Sequence, residues 1–83
     1  MAETKITFTN LSKIKIQVQI FTGRTLVSTG VAGPGETSTL LGGSERFDIF
    51  LKSSLTGWLV ARKFDNEAKA FTLSMQNGRY ILT

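Results

Sequence analysis

The stretch GVAGPGET at residues 30–37 meets the phosphate-binding loop pattern G-x-x-x-x-G-K-[ST] at every fixed position but one. That pattern works because backbone N–H groups at the start of a helix surround the phosphates while a lysine reaches their outer oxygens. Glu36 occupies the lysine position, and its carboxylate would repel those oxygens. The glycines that follow also leave no room for a helix. Pro34 fixes φ and Gly35 tolerates positive φ, so the stretch predicts a type II turn.

The side chains that usually carry out catalysis are scarce. The 83 residues include neither cysteine nor histidine, which removes thiolate and imidazole metal ligands and the Ser-His and Cys-His nucleophile pairs. Two close carboxylate pairs remain, Glu45 with Asp48 and Asp65 with Glu67. A chain of this length forms one small domain over residues 1–83, which offers no two-walled cleft for carboxylate catalysis. We therefore predict a non-enzymatic protein with no catalytic residue, no metal and no cofactor.

Aromatic and basic residues are interleaved in three segments, RFDIFLK (46–52), WLVARKF (58–64) and GRYIL (78–82). Proteins that bind single-stranded nucleic acid combine aromatic platforms for the bases with Lys and Arg along the backbone. The formal net charge of +4 suits such a partner, but no basic run exceeds two residues, so nucleic acid is the alternative prediction. The residues that would serve it are Arg46, Lys52, Trp58, Arg62, Lys63 and Tyr80.

Strands must position these side chains, because β-branched residues are abundant and glycines interrupt the helical patterns. The clearest strand covers residues 13–21, where every second residue is isoleucine or valine and polar residues lie between them. Asn77-Gly78 predicts a two-residue type I′ hairpin, since both residues tolerate positive φ. About eight short strands favour an all-β fold, a small antiparallel β-sandwich of immunoglobulin-like architecture. A small closed barrel, OB-like or SH3-like, is the alternative.

The strand phases assign most aromatic side chains to the core. The inward positions hold Phe8, Phe47, Phe64 and Phe71. Phe21 and Phe50 instead fall in outward positions beside polar neighbours. Large aromatic side chains are seldom left exposed, so a second sheet, a second subunit or a ligand should cover these two rings. We predict that Phe21 and Phe50 contribute to an oligomer interface.

These features predict a binding or interaction module that forms a homo-oligomer and takes a glycan or a protein surface as its ligand. Aromatic rings stack on sugar faces or fill protein pockets, and nearby amides and carboxylates orient the ligand. The candidate ligand-binding residues are Asp48, Phe50, Trp58, Asn66 and Asn77. No segment is apolar and long enough for a signal peptide or a membrane span, so the sequence predicts a cytoplasmic protein.

Overall fold

The computed structural model describes residues 5–42 and 45–83, which form eight β-strands. Many of the residues in these segments are β-branched or aromatic, and such side chains fit a pleated surface. The sequence Gly42-Gly43-Ser44 also predicts the end of a strand, and residues 43 and 44 of that stretch lie outside the described residues. The strands are β1 (Lys5–Asn10), β2 (Ile16–Thr22), β3 (Thr25–Ala32), β4 (Thr37–Leu41), β5 (Phe47–Ser53), β6 (Leu59–Asn66), β7 (Ala70–Gln76) and β8 (Arg79–Leu82).

The strands form two four-stranded sheets that pack face to face. Sheet A has the order β4-β1-β7-β8, and sheet B has the order β3-β2-β5-β6. Neighbouring strands are antiparallel except β1 and β7, which pair in parallel from Thr7↔Ala70 to Asn10↔Leu73. This arrangement confirms the predicted all-β sandwich. The alternative, a closed barrel, is wrong, because no strand ladder joins sheet A to sheet B in the described part of the chain.

The core lies between the sheets and is formed by side chains at the inward-facing alternate positions of the strands. In β2 the isoleucine and valine side chains are buried, whereas the glutamines between them are partly exposed. The Phe47 and Phe71 rings meet edge to face across the core, with their centroids 5.8 Å apart. The inward positions predicted for Phe8, Phe47 and Phe71 are therefore confirmed. The buried apolar residues are Ile6, Phe8, Ile16, Val18, Ile20, Ala32, Leu40, Phe47, Ile49, Leu51, Phe71 and Leu73.

Asn10 is a buried polar residue that links β1, the β1–β2 connection and the end of β3. Its amide nitrogen donates hydrogen bonds to the carbonyl oxygens of Ile14 (2.7 Å) and Ala32 (2.9 Å). Its Oδ1 atom accepts hydrogen bonds from the backbone N (2.9 Å) and the Oγ (2.5 Å) of Ser12. The side chain therefore uses all of its amide hydrogen-bonding groups inside the protein, as buried polar groups require.

Residues 30–37 form the turn that the sequence predicts. The Glu36 N–H donates to the Gly33 carbonyl oxygen at 3.0 Å, and Gly35 has a φ of 79°. Both features are those of a type II turn. In addition, the Glu36 Oε1 atom accepts a hydrogen bond from the Gly33 backbone N at 2.6 Å. The residue that replaces the lysine of the phosphate-binding pattern therefore closes the turn with its side chain.

The β7–β8 connection is the two-residue hairpin predicted from the sequence. Asn77 and Gly78 have φ angles of 53° and 77°, and Gln76 pairs with Arg79 beside them. Both central residues of a type I′ turn have positive φ, so the prediction is confirmed.

Strand β6 is an edge strand whose pairing with β5 contains two register shifts. Near one of them Asp65 takes a φ of 54°, and an extra residue is accommodated as a bulge. Arg62 and Lys63, which cannot both point outward in a regular strand, are both exposed on this irregular edge. Phe64 is 55% exposed on the side of sheet B away from the core, so its predicted inward position is wrong.

Asn66 points into the protein at the end of β6. It is buried, and its amide nitrogen donates to the carbonyl oxygens of Phe47 (3.1 Å) and Lys63 (2.7 Å). These bonds close the bulge against β5. The residues Asp65-Asn66-Glu67-Ala68 predict a turn that can include one helical turn, but residues 65 and 66 belong to β6 instead.

Strand directions place four connections at one end of the sandwich, which we call the loop end. The start of β2 lies opposite the ends of β3 and β5, through the pairs Ile16↔Ala32 and Ile16↔Ser53. The end of β1 lies beside β7 near its end, through Asn10↔Leu73. The connections at the loop end are residues 11–15, 33–36, 54–58 and 77–78. Those at the opposite end are residues 23–24 and 67–69, together with the described residues 42, 45 and 46 between β4 and β5.

Candidate interaction surface

The outer face of sheet B carries aromatic side chains from three neighbouring strands. Phe50 of β5 pairs with Gln19 of β2 on one side and with Arg62 of β6 on the other. Phe21 and Phe64 lie two residues further along those strands, in diagonal positions that long side chains can reach across. The opposite faces of β2 and β5 are buried in the core, so the three rings lie on the side away from sheet A.

The Phe50 ring contacts both of the other rings, and we call Phe21, Phe50 and Phe64 the aromatic row. The centroids of Phe21 and Phe50 are 5.3 Å apart with an interplanar angle of 69°. Those of Phe50 and Phe64 are 5.5 Å apart at 84°. Edge-to-face contacts of this kind are favourable. The guanidinium carbon of Arg62 lies 5.3 Å from the Phe64 centroid, which is a cation–π distance. These contacts hold the row in a defined arrangement.

The aromatic row is only partly covered within the chain. Phe21 and Phe50 are partly buried, whereas Phe64 is more than half exposed. Leu26 of β3 pairs with Phe21 and continues the row to the other edge of sheet B, where it is 47% exposed. Sheet A packs on the opposite face of sheet B, so a second sheet does not cover the row. The two other possibilities, that a second subunit or a ligand covers these rings, stay predictions.

Charged side chains of both signs border the aromatic row. Asp48 and Lys52 flank Phe50 along β5 in the same outward phase, and Arg62 approaches the row from β6. The Asp48 Oδ1 atom accepts a hydrogen bond from the Asp65 backbone N at 2.8 Å, which fixes the carboxylate beside the bulge. An apolar centre with a charged rim is typical of protein–protein interfaces.

A separate charged cluster lies at the end opposite the loop end. Arg46 donates from Nε to Asp65 Oδ1 (2.7 Å) and from Nη2 to Asp65 Oδ2 (3.0 Å), and Nη1 donates to Glu67 Oε1 (2.6 Å). The hydrogen bond to Asp65 raises the pKa of Arg46, and the same bond lowers the pKa of the Asp65 carboxyl. All three side chains are well exposed, so the cluster is a solvated ion-pair network.

The structure does not gather the five candidate ligand-binding residues into one site. Asp48 and Phe50 lie near each other on the outer face of sheet B. Trp58 and Asn77 belong to two different connections at the loop end. Asn66 is buried and its amide nitrogen is used within the fold, so the ligand-binding role predicted for it does not fit its position.

The six residues of the nucleic-acid alternative are also dispersed. Lys52, Arg62 and Lys63 belong to β5 and β6, the strands that carry Phe50 and Phe64. The other three members lie in the charged cluster at the opposite end, at the loop end and on sheet A.

Phe64 and Leu26 are members of this surface that the sequence alone does not identify. The direction of Phe64 depends on the bulge at Asp65, and that of Leu26 depends on a register shift in the β2–β3 pairing. One local signal was present for Phe64. The adjacent pair Arg62-Lys63 indicates an edge strand or a bulge, because two successive charged residues cannot both avoid the core of a regular two-faced strand.

No protein-family model, curated protein or solved structure matches the chain. Within residues 5–42 and 45–83, no group of three or more His, Cys, Asp or Glu side chains is placed to hold a metal ion. The same residues contain no helix long and apolar enough to cross a membrane. The aromatic row is the feature from which we argue function.

Proposed function

We propose that the chain is a non-enzymatic interaction module that forms a homodimer by pairing the outer faces of sheet B from two copies. The observation that supports this proposal is the aromatic row, three rings in contact on a face that no other described part of the chain covers. Contiguous exposed apolar patches mark interaction sites. Aromatic residues and arginine are also enriched in protein interfaces, and Arg62 stacks on Phe64 at the edge of the row.

A second copy suits this surface because the surface can complement itself. A twofold interface uses the same patch on both subunits. Two sheets that pack face to face lie about 10 Å apart and interdigitate their side chains. If the twofold axis passes near Phe50 and the β5 strands run antiparallel, Asp48 of each copy faces Lys52 of the other. The charges beside Phe50 then pair, and the rings form the apolar centre.

The size of the row indicates a weak dimer. Burying an exposed Phe contributes about 1.5–3 kcal/mol, and these partly buried rings have roughly half of that left to gain. The rings of two copies then contribute roughly 6 kcal/mol, near the lower limit of the association cost of about 4–15 kcal/mol. Leu26 and the Asp48–Lys52 pairs add to the favourable side. We expect a weak dimer that forms at high micromolar to millimolar protein concentration, with an association free energy on the order of 4–5 kcal/mol at most, and dissociates on dilution.

Sedimentation at several concentrations tests the proposal. Phe50→Ser combined with Phe64→Ser should leave a folded monomer at concentrations where the wild type dimerises. The matched control is Leu41→Ser with Met75→Ser, which removes two apolar side chains of similar exposure from sheet A and should leave the dimer intact. Circular dichroism checks folding, and Phe64→Ser alone gives a milder variant because that ring is the most exposed of the three. A wild type that stays monomeric at about millimolar concentration excludes the proposal, as does a double variant that retains the wild-type assembly.

Single-stranded nucleic acid is a second candidate, because Lys52, Arg62 and Lys63 lie on the strands that carry the row. The Arg62 guanidinium already stacks on Phe64, which leaves one fewer ring face for a base. An oligonucleotide titration separates the candidates. An affinity that falls steeply with salt supports nucleic acid, whereas salt-insensitive binding of a glycan or protein surface supports the interaction module.

A further inference from the structure

The loop end displays apolar side chains at the tips of its connections. Leu55 is 93% exposed and Trp58 is 78% exposed, both in the β5–β6 connection. Leu11, in the β1–β2 connection, is 57% exposed. Met75 and Tyr80 extend this exposed apolar surface onto the β7–β8 hairpin. Large apolar side chains that project together from loops are unusual on a protein surface unless they meet a partner.

Hydrogen bonds hold the β5–β6 connection in a defined conformation. The Gly57 N–H donates to the Ser53 carbonyl oxygen at 2.8 Å, and the Ser53 N–H donates to the Trp58 carbonyl oxygen at 2.8 Å. Gly57 has a φ of 77°, which suits the tight reversal. The Ser54 N–H donates to the Lys15 carbonyl oxygen at 3.0 Å and joins this connection to the β1–β2 connection. The exposed tip is therefore held outward by its own backbone, so docking would not have to order it.

The loop end is also basic. Among the described residues, its one carboxylate belongs to Glu36, which accepts a hydrogen bond from the Gly33 backbone. Three basic side chains without a salt bridge in the described part of the chain belong to this end, namely Lys13, Lys15 and Arg79. The remaining described carboxylates lie towards the opposite end, and they are Glu45, Asp48, Asp65 and Glu67. The loop end therefore has a net positive charge, whereas at the opposite end these four carboxylates are balanced by Lys5, Arg24, Arg46 and Lys69.

We propose that the loop end docks the protein on the surface of an anionic phospholipid bilayer. Leu55 and Trp58 enter the boundary between headgroups and acyl chains, and the ring of Tyr80 lies at headgroup level, where Trp and Tyr are favoured. The lysines and Arg79 approach the lipid phosphates from the rim. Apolar loop tips surrounded by lysine and arginine side chains complement a bilayer whose headgroups are negative and whose interior is apolar. Leu55, the most exposed of these side chains, has no ring on which a base could stack, which favours lipid over nucleic acid.

This surface is separate from the aromatic row, so lipid docking does not depend on the proposed dimer. In the antiparallel dimer described above, the two loop ends face away from each other. Each copy therefore docks through its own loop end.

The chain contains a single tryptophan, and its position makes it a reporter of docking. We expect the full chain to sediment with vesicles of phosphatidylcholine containing phosphatidylserine and not with vesicles of phosphatidylcholine alone. Emission of Trp58 should shift to shorter wavelength on binding and be quenched by brominated acyl chains. Physiological salt should weaken the binding relative to low salt, because it screens the lysines.

Three variants test the residues involved. Leu55→Ser should weaken vesicle binding about tenfold. Lys13→Glu with Lys15→Glu should weaken vesicle binding by at least about 25-fold, since each lysine near an anionic surface raises the affinity roughly fivefold. The matched control is Leu26→Ser, which alters the aromatic row and should leave vesicle binding unchanged. Leu55 and the lysines are exposed, so these variants should fold, and circular dichroism checks that they do.

The proposal is overturned if phosphatidylserine vesicles neither bind the wild type at low salt nor change Trp58 emission. It is also overturned if Leu55→Ser binds as the wild type does, or if oligonucleotides bind more tightly than vesicles under the same conditions. Loss of dimerisation in the aromatic-row variants with unchanged vesicle binding supports it, because the two surfaces then act separately.

Discussion

Replacing Asn10 by alanine tests whether one buried amide organises the connections at the loop end. The change removes the acceptor of the Ser12 N–H and one donor to the Ala32 carbonyl oxygen, although Ala32 also pairs with Ile16 in the β2–β3 ladder. The Ile14 carbonyl oxygen keeps the Ser12 hydroxyl as a donor. Each buried polar group left without a partner costs about 1–3 kcal/mol. The lost hydrogen bond to Ala32 adds about 0.5–1.5 kcal/mol. We therefore expect a loss of about 2–4 kcal/mol, out of the total of about 5–15 kcal/mol that is typical of a folded domain.

Asn10→Asp is the matched comparison, since it keeps the volume of the side chain but exchanges two donors for acceptors. Its carboxylate would face the carbonyl oxygens of Ile14 and Ala32, which the Asn10 amide nitrogen now contacts. Burial raises the pKa of such a carboxyl in the folded state above its value in the unfolded chain. The penalty therefore grows as pH rises between those two values. We expect Asn10→Asp to be at least as destabilising as Asn10→Ala at neutral pH and to recover in acid.

Urea unfolding followed by far-UV circular dichroism measures these differences. For a domain of this size, a loss of about 3 kcal/mol lowers the melting temperature by about 12–24 °C. Ser12→Ala serves as a control with a smaller cost of about 1 kcal/mol, because Asn10 Oδ1 keeps the Ser12 backbone N–H. A loss below about 1 kcal/mol for Asn10→Ala would refute the reasoning, since bonds of this kind would then be easily replaced by water.

Gly78→Val should lower stability by about 1–2 kcal/mol in thermal melts, because the φ of 77° is unfavourable for a residue with a Cβ atom. A Cβ at this position meets no atom within 4 Å, so the backbone conformation is the sole source of the expected loss. An unchanged melting temperature would contradict this. Glu36→Lys completes the phosphate-binding pattern but removes the acceptor of the Gly33 N–H, so we expect a loss of about 1 kcal/mol and no ATP binding by calorimetry. Micromolar ATP affinity in that variant would overturn both the turn and the fold assignment. Asp65→Asn should destabilise the protein at neutral pH but not in strong acid, since Arg46 lowers the pKa of the Asp65 carboxyl from its ordinary 3.8. The stabilisation is thus present above that value and is lost as pH falls through the lowered pKa. An equal effect of Asp65→Asn in urea titrations at both pH values would show that the ion pair contributes nothing.

The parts of the fold that the sequence predicts are those governed by local chemistry. The strict alternation in β2 identifies its buried face, and the Pro34-Gly35 and Asn77-Gly78 pairs identify their turns, because each of these features depends on a few adjacent residues. The outward phase of Phe21 and Phe50 follows from the same alternation and is confirmed. Their role in an interface stays a prediction.

The parts that the sequence does not predict depend on distant partners. The phase of β6 is set by its bulged pairing with β5, so local alternation places Phe64 on the wrong face. For the same reason the sequence suggests that Asn66 is exposed to a ligand, although it is buried. The loop end is visible only once the strand directions are known, because Leu11 and Leu55 are far apart in the chain. The parallel pairing of β1 with β7 likewise has no local pattern, since both strands would alternate equally well beside other neighbours.

The position of β1 between β4 and β7 has a consequence for biosynthesis. Sheet B uses only strands within residues 16–66, so all four of its strands are synthesised before β7. Sheet A is completed later, because one edge of β1 stays unpaired until residues 70–76 have been translated. Pairing between segments as distant in the chain as β1 and β7 is slow. Until it forms, the unpaired edge of β1 can pair with strands of other chains. We expect a chain truncated before β7 to be cleaved by protease more readily in β1 than in sheet B, because β1 then lacks one of its two neighbouring strands.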